Sequence, residues 1–179
     1  MKKRCGWLLA LAGGLAQAGC HGADYKTKCV LVSSTFEQYE GWVSPLPTVL
    51  SAEQAHSGRY SERLGRGVVA GPAHRALLGN CGFMPSRLHL GAWVYLPSGR
   101  IRSTDIVVEV NCHGRRPTMR LSLEIEQNVK RYQKWEYVQK YIRLPADMKA
   151  TDELSVYLRH LESEGDNLWL DDIQLTGER

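Results

Sequence analysis

Apolar and polar residues alternate with a period of two along much of the second half of the chain. In the clearest run every second residue from 88 to 96 is apolar, and the same alternation recurs at residues 106–112, 119–125 and 154–158. This period is typical of a strand with one side on a core and the other toward solvent. The first run then predicts these outward-facing residues on one strand: Arg87, His89, Trp93 and Tyr95.

Turn sequences separate the predicted strands. Residues such as Pro, Gly, Asp and Asn cluster at residues 97–99, 113–117, 144–147 and 164–167. Helical periodicity is almost absent. Shorter strands are predicted earlier in the chain, at residues 30–34, 48–52, 59–64 and 76–81. The sequence therefore predicts one all-β domain, an antiparallel β-sandwich, over residues 29–179.

The N-terminal residues have the order of a secretory signal. Basic residues at positions 2–4 precede a short apolar run, and small residues follow at positions 16–19. The apolar run is too short to remain as a membrane-spanning helix. We predict that residues 1–19 are a signal peptide and that the protein is exported.

Cys20 leaves two exported forms open. Ala-Gly-Cys at residues 18–20 resembles the end of a lipobox, in which cleavage precedes a cysteine that carries lipid. Gln17 stands where a lipobox usually has leucine, and Ala-Gln-Ala at residues 16–18 fits ordinary signal peptidase. The protein is thus predicted to be a membrane-anchored lipoprotein, in the periplasm or at the cell surface, or a secreted protein. In the anchored form residues 20–28 are a tether, and Cys20 is the attachment to the membrane.

Charge argues against a nucleic-acid partner. The chain has 23 basic and 19 acidic residues, and the predicted signal contains three of the bases and none of the acids, which leaves 20 against 19. A nearly neutral domain without a basic run between aromatic residues does not have the surface that nucleic acids require.

The cysteines predict a disulfide bond. Export permits such bonds, and Cys29, Cys81 and Cys112 follow Cys20 in the chain. At most one bridge forms among these three, and the sequence leaves its pairing open. None of them has the short spacing of a zinc site.

Several short segments follow one another in a familiar order. They are Phe-Glu at 36–37, Gly-Trp at 41–42, Ala-His-Ser-Gly-Arg-Tyr-Ser at 55–61, Gly-Ala-Trp-Val-Tyr-Leu-Pro at 91–97, Trp-Glu-Tyr-Val at 135–138 and Leu-Trp-Leu-Asp-Asp-Ile at 168–173. Together they resemble galactose-binding-like jelly-roll domains, the fold of many carbohydrate-binding modules. The resemblance covers most of residues 30–176 and implies a jelly-roll form of the sandwich.

The same resemblance implies a structural calcium ion as cofactor. Its candidate ligands are the side chains of Glu37 and of Asp171 or Asp172, with backbone oxygens near Ser57. Calcium binds several hard oxygens and accepts a mixture of carboxylates and carbonyls. The alternative is that Glu37 is a surface carboxylate and that the two aspartates accept hydrogen bonds from backbone amides in a turn.

Outward aromatic rings are the candidate ligand-binding groups. Their positions in the alternating strands place Trp93, Tyr95 and Tyr137 on the side away from the core. Flat rings suit the apolar faces of sugars. In the alternative, loops cover the rings, which then serve packing alone. Polar partners for sugar hydroxyls are predicted on the outward parity of other strands, at Glu109, Asn111 and Arg120.

Catalysis has little support in the sequence. The histidines are scattered, no serine lies in a Gly-x-Ser-x-Gly pattern, and no carboxylate pair is set apart as the acid and base of a glycosidase. We therefore predict a non-catalytic, extracytoplasmic domain that binds a glycan. The alternatives are a structural or protein-interaction lipoprotein without a sugar site and, third, a polysaccharide-active enzyme.

Overall fold

The protein is a β-sandwich, as predicted. The computed structural model describes residues 27–39, 49–65, 67–161 and 166–179. In these residues ten strands form two antiparallel sheets, one of six strands and one of four. The predicted signal, Cys20 and most of the tether lie outside the described residues.

The strands are numbered in chain order. They are β1 (Lys28–Ser34), β2 (Leu50–Ser51), β3 (Ser61–Leu64), β4 (His74–Leu77), β5 (Arg87–Tyr95), β6 (Thr104–Asn111), β7 (Met119–Glu124), β8 (Trp135–Arg143), β9 (Glu153–His160) and β10 (Leu168–Glu178). A short helix, α1 (Ile125–Asn128), follows β7, and 3₁₀ turns occupy Glu37–Tyr39 and Leu78–Cys81.

The larger sheet, sheet A, is built around β10. Its strand order is β2-β3-β10-β5-β8, and β1 also pairs with β10. On one side β10 pairs with β3 through residues 168–170 and with β1 through residues 173–178, while β5 pairs along its other side. The smaller sheet, sheet B, has the order β4-β9-β6-β7.

The core lies between the two sheets. Alternate residues of β5 and β10 from sheet A, including Leu90, Val94 and Leu170, are fully buried together with Val108 and Val156 from sheet B. Burial of such side chains contributes about 2 kcal/mol each to folding. The alternation in the sequence is the alternation between this core and solvent.

Two predicted strand ends are wrong. β7 ends at Glu124, and Ile125 instead begins α1, where it is fully buried. The segment 78–81 is a 3₁₀ turn that buries Leu78 and Cys81, which are three residues apart. In both places the alternation of apolar residues continues past the end of the strand, because the first residue of the helical turn that follows is also apolar and buried. The alternation therefore does not show where the strand ends.

One disulfide bond joins the first strand to the 3₁₀ turn. Cys29 is bonded to Cys81, with their Cα atoms 5.3 Å apart, and Cys112 is a buried free thiol. The predicted single bridge is confirmed and its pairing is now assigned.

β1 begins at Lys28, one residue before the predicted domain boundary, because Lys28 pairs with Glu178. No helix in the described part of the chain is long and apolar enough to cross a membrane.

Candidate functional site

Strands β5 and β8 bring aromatic side chains together on the outer side of sheet A. In their antiparallel register Trp93 lies opposite Tyr137, and Tyr95 lies opposite Trp135. Residues opposite one another in such a pair point to the same side, with Cβ atoms about 5 Å apart. Val94, between Trp93 and Tyr95, is fully buried. The outward orientation predicted for Trp93, Tyr95 and Tyr137 is therefore present.

The rings form a continuous row. The ring centroids of Tyr95 and Trp135 are 5.8 Å apart, and those of Trp93 and Tyr137 are 5.5 Å apart. His56 joins the two pairs, since its ring stacks on Trp93 at 4.0 Å and meets Trp135 edge-on at 5.7 Å. Rings at these separations attract one another and limit one another's motion. We call these five residues the aromatic face.

Solvent reaches the aromatic face unevenly. Tyr137 is 47% exposed, and Trp93, Tyr95 and Trp135 are partly exposed. Trp169 continues the row, 5.6 Å from Tyr95, but is only 8% exposed. The alternative that a ring is covered thus holds for Trp169 and not for the aromatic face itself.

Gly91 allows the Tyr137 ring to lie against β5. A Cβ atom at this position would clash with the hydroxyl and ring of Tyr137. Burial against the strand raises the pKa of Tyr137, and the nearby Tyr141 adds to the shift. The Tyr137 hydroxyl therefore stays protonated near neutral pH, able to donate and accept hydrogen bonds.

A bulge in β10 fixes His56 over Trp93. Between Asp171 and Gln174 the register of β10 shifts by one residue against β5, and Asp172 has a left-handed backbone with φ 48°. Such bulges redirect side chains. Here Asp172 Oδ2 lies 2.6 Å from His56 Nδ1, and the imidazole N–H that faces this carboxylate donates to it.

The buried Asp171 and the partly exposed Asp172 hold the turn that carries His56. Asp171 Oδ2 accepts hydrogen bonds from the backbone N–H groups of His56 at 2.8 Å and Ser57 at 3.0 Å, and its Oδ1 accepts from the N–H of Asp172 at 2.7 Å. Ser57 Oγ donates to Asp172 Oδ1 at 2.6 Å. Burial raises the pKa of Asp171, and the three amide donors oppose that rise. We call residues 56–60 the clamped turn.

Glu37 holds the other end of the clamped turn. Its Oε1 accepts from the backbone N–H groups of Arg59 at 2.8 Å and Tyr60 at 2.6 Å. Gly58 lies so close to this carboxylate that a Cβ atom would contact it at 2.6 Å, and its φ of 59° favours glycine. The sequence Ser-Gly at 57–58 is what allows the turn to approach Glu37.

The predicted calcium ligands meet at the clamped turn, where their carboxylate oxygens accept hydrogen bonds. Glu37, Asp171 and Asp172 all accept hydrogen bonds from the turn, and Ser57 offers donors, its N–H and Oγ. Calcium needs six to eight oxygen ligands, whereas the carboxylate oxygens here already accept hydrogen bonds from N–H and O–H donors. The arrangement matches the alternative in which the aspartates bond backbone amides.

A second ring pair lies farther along the same strands. His89 stacks on Tyr141 at 4.4 Å, and His89 Nε2 is 2.9 Å from Gln139 Oε1. Tyr141 is 54% exposed. Gln139 on β8 and Gln174 on β10 are both opposite Gly91, so two exposed amides flank the gap between this pair and the aromatic face.

The predicted polar ligand residues lie on the other side of the sandwich. Glu109, Asn111 and Arg120 face outward, as their parity requires, but from β6 and β7 of sheet B. There Glu109 accepts from Arg120 Nε at 2.5 Å and from Tyr157 Oη at 2.9 Å. Their grouping with Trp93 is wrong, because parity fixes the direction of a side chain but not the sheet to which its strand belongs.

Several residues of the site were not predicted to bind a ligand. Trp135 was not among the predicted binding residues, although it shares the parity of Tyr137 on β8. His89 and Arg87 had the correct outward parity and were not assigned a role. His56 enters from a turn, and nothing in the alternation of the sequence marks its position over Trp93.

No model of a known protein family matches the chain, and no curated protein matches it. Solved structures do match. The CBM22-1 xylan-binding domain of Paenibacillus barcinonensis Xyn10C superposes with a TM-score of 0.52, over 86% of this chain and 97% of that domain, at 18% identity. A family 16 carbohydrate-binding module superposes with a TM-score of 0.51, over 70% of this chain and 82% of that one, at 18% identity.

The fold is that of carbohydrate-binding modules. A third example is the family 30 module of the cellulosomal cellulase Cel9D-Cel44B of Clostridium thermocellum, with a TM-score of 0.50 over 85% of this chain and 95% of that one, at 11% identity. The predicted jelly-roll resemblance is thereby confirmed as a fold. In this fold, the aromatic face lies on the outer side of the six-stranded sheet A. Fold alone does not assign a ligand, so the function is argued from that surface.

Proposed function

We propose that the protein is a non-catalytic carbohydrate-binding protein that holds a glycan on the aromatic face. The observation that carries the proposal is the row of partly exposed rings, in which successive centroids are 4.0 to 5.8 Å apart. Such a row presents apolar surface that is held in place by ring contacts and by the clamped turn.

The chemistry of a sugar fits this surface. One face of a pyranose is made of C–H groups, and its burial against a ring removes apolar area from water on both partners. The hydroxyl edges need hydrogen bonds, which Gln139, Gln174 and the Tyr137 hydroxyl can supply. Association also costs rotational freedom, so we expect dissociation constants from about micromolar to millimolar.

The solved structures with this fold support a plant polysaccharide as the first ligand to test. One is described as xylan-binding, and another belongs to a cellulase. A glycan array should therefore be followed by calorimetric titration of soluble xylo-oligosaccharides into the purified protein.

The decisive variant is Trp93→Ala, with Tyr157→Ala as the matched control. Tyr157 is an aromatic residue on the outer side of sheet B, so its loss tests whether any surface ring matters. We expect Trp93→Ala to weaken binding at least about tenfold, about 1.4 kcal/mol, with unchanged circular dichroism. Unfolding of Trp93→Ala would make this ring a packing residue, and loss of binding in Tyr157→Ala would place the site on sheet B.

The array also separates the alternatives. No glycan binding at all would favour a structural or protein-interaction role. Release of reducing ends from a bound polysaccharide would favour an enzyme.

We also propose that the protein is exported and anchored by lipid at Cys20. The support is the order of the N-terminal residues, which lie outside the described ranges. The Cys20→Ser variant should move the protein from the membrane fraction to the soluble fraction. Wild-type protein that is soluble, with Gly19 as its first residue, would show that it is secreted without an anchor.

A further inference from the structure

Basic side chains gather at one end of the row of rings. Arg87 and Arg143 lie directly opposite each other at the ends of β5 and β8, next to the pair formed by His89 and Tyr141. Lys28 on β1 reaches the same end through Glu178 of β10. We call Lys28, Arg87 and Arg143 the basic end.

The basic end carries more positive charge than its one carboxylate balances. Glu178 Oε1 lies 2.9 Å from Lys28 Nζ, and its Oε2 accepts from Arg87 Nε at 2.9 Å. Hydrogen bonds from Lys28 and Arg87 lower the pKa of Glu178. Within the described ranges Arg143 pairs with no carboxylate. Lys28 and Arg87 thus share one carboxylate and Arg143 adds a third positive charge, which leaves the basic end with a net charge of about two.

Two arginines at directly opposite positions of neighbouring strands are a costly arrangement for an ordinary sheet surface. Like charges at directly opposite positions of two strands repel and destabilise the pair. Here the Arg87 guanidinium is held over the Tyr141 ring, with Cζ 4.9 Å from the ring centroid, which keeps it on the side of the sheet that carries the aromatic face. Arg87 is already bonded to Glu178 through both Nε and Nη2, so Arg143 is the cation that an added anion would neutralise, which would also relieve the repulsion between the two arginines.

The opposite end of the row does not offset this charge. Asp171 and Asp172 accept hydrogen bonds from the clamped turn, and Glu53 is paired with Arg63 at 2.7 Å. Asp171 lies opposite Trp93, about 20 Å from Arg87 along the strands. Charges on the surface are largely screened over such a distance, so these carboxylates do not neutralise the basic end.

We propose that the ligand of the aromatic face is an acidic glycan, whose carboxylate groups bind at the basic end. The inference rests on the proposed function, because it concerns the same surface. Trp93 and Arg87 are six residues apart on β5, about 20 Å, so one chain of several sugars reaches both. Arginine binds carboxylates through two parallel hydrogen bonds, which suits a uronic acid better than a neutral sugar.

The test compares polysaccharides that differ only in charge. Glucuronoxylan and polygalacturonate are each used in native form and after chemical reduction of their carboxylates to hydroxymethyl groups. Affinity electrophoresis and calorimetry at low salt measure binding to the wild-type protein. We expect at least one native polysaccharide to bind about tenfold more tightly than its reduced form. This preference should shrink at 0.5 M salt, where exposed charges are screened.

The variants locate the preference. Arg143→Gln should abolish it while leaving the binding of reduced polysaccharide unchanged, and Lys28→Gln is the second variant should Arg143→Gln fail to fold. Arg75→Gln, on the outer side of sheet B, is the control and should keep the preference. Equal binding of the native and reduced polysaccharides, or a preference for the native form that survives Arg143→Gln, would overturn the acidic-glycan inference. The proposed function would still stand if Trp93→Ala weakens the binding of both the native and the reduced polysaccharide. If neither form nor any neutral glycan binds, the proposed function itself is wrong.

Discussion

Glu62 is a carboxylate at an inward-facing position. On β3 it lies between Leu50 of β2 and Leu170 of β10, both apolar. Glu62 is 1% exposed, its Oε1 has no hydrogen-bond partner among the described residues, and a Cβ atom on Gly71 would clash with it. A carboxylate in such a place is costly unless it is neutral. Burial accordingly raises the pKa of Glu62 to about 8.

This single residue should make stability depend on pH. Between the ordinary value of 4.5 and about 8, the unfolded chain loses the Glu62 proton and the folded chain keeps it. The folded state then binds more protons, so the free energy of unfolding falls as pH rises through this window, by on the order of 1 kcal/mol per pH unit. Glu62→Gln, which is neutral at every pH, should flatten the profile and be more stable than wild type at pH 8.

Urea unfolding of both proteins from pH 5 to pH 8 measures the effect. The exposed Glu153→Gln change on β9, where the glutamate pairs with Arg75 at the surface, is the control and should keep the wild-type slope. Parallel profiles for wild type and Glu62→Gln would show that Glu62 is ionised in the folded protein.

The direction in which a side chain points could be predicted from the sequence, because it depends only on neighbouring residues of the same strand. The alternation of Val94 with Trp93 and Tyr95 determines which way each ring points, since a strand has two sides. The sheet in which Glu109 lies depends on strand order, and strand order depends on contacts between residues distant in sequence. The burial of Glu62 could not be predicted either, because the alternation marks core positions by apolar residues and Glu62 is a charged residue at such a position.

At the scale of elements, the clamped turn and the β10 bulge act together. The bulge brings Asp172 to His56, and Asp171 and Glu37 bind the backbone of the turn. The motif residues at 36–37, 55–61 and 168–173 were visible in the sequence as a resemblance. Their shared role was not, because a carboxylate that accepts amide N–H groups and one that binds calcium look the same in sequence.

The geometry of the clamped turn predicts stability without calcium. A calcium ion that bound only the native state, at about 100 times its dissociation constant, would add about 2.7 kcal/mol. We expect the melting temperature to be the same in chelator and in excess calcium. Asp171→Asn should lower stability by about 1–3 kcal/mol, because it weakens the acceptors for three backbone N–H groups, whereas the exposed Asp147→Asn should not. A melting temperature that rises with calcium would show that the carboxylates bind the metal.

At the scale of the whole molecule, the two outer surfaces of the sandwich differ in kind. Sheet A presents a row of rings that ends in cations, whereas sheet B presents mainly paired charges, such as Arg159 with Asp105 and Arg120 with Glu109. Paired charges compensate each other and offer little to a sugar. We therefore propose that a glycan binds to the outer side of sheet A and not to that of sheet B.

The most direct test of that proposal is a two-dimensional ¹⁵N–¹H NMR titration of the protein with the best oligosaccharide from the array. We expect the indole N–H signals of Trp93 and Trp135, and the amides of β5 and β8 around them, to shift together and saturate with one dissociation constant. The signals of β6 and β9 should stay in place. Shifts centred on Glu109 and Tyr157, with the Trp93 indole unmoved, would contradict the proposal.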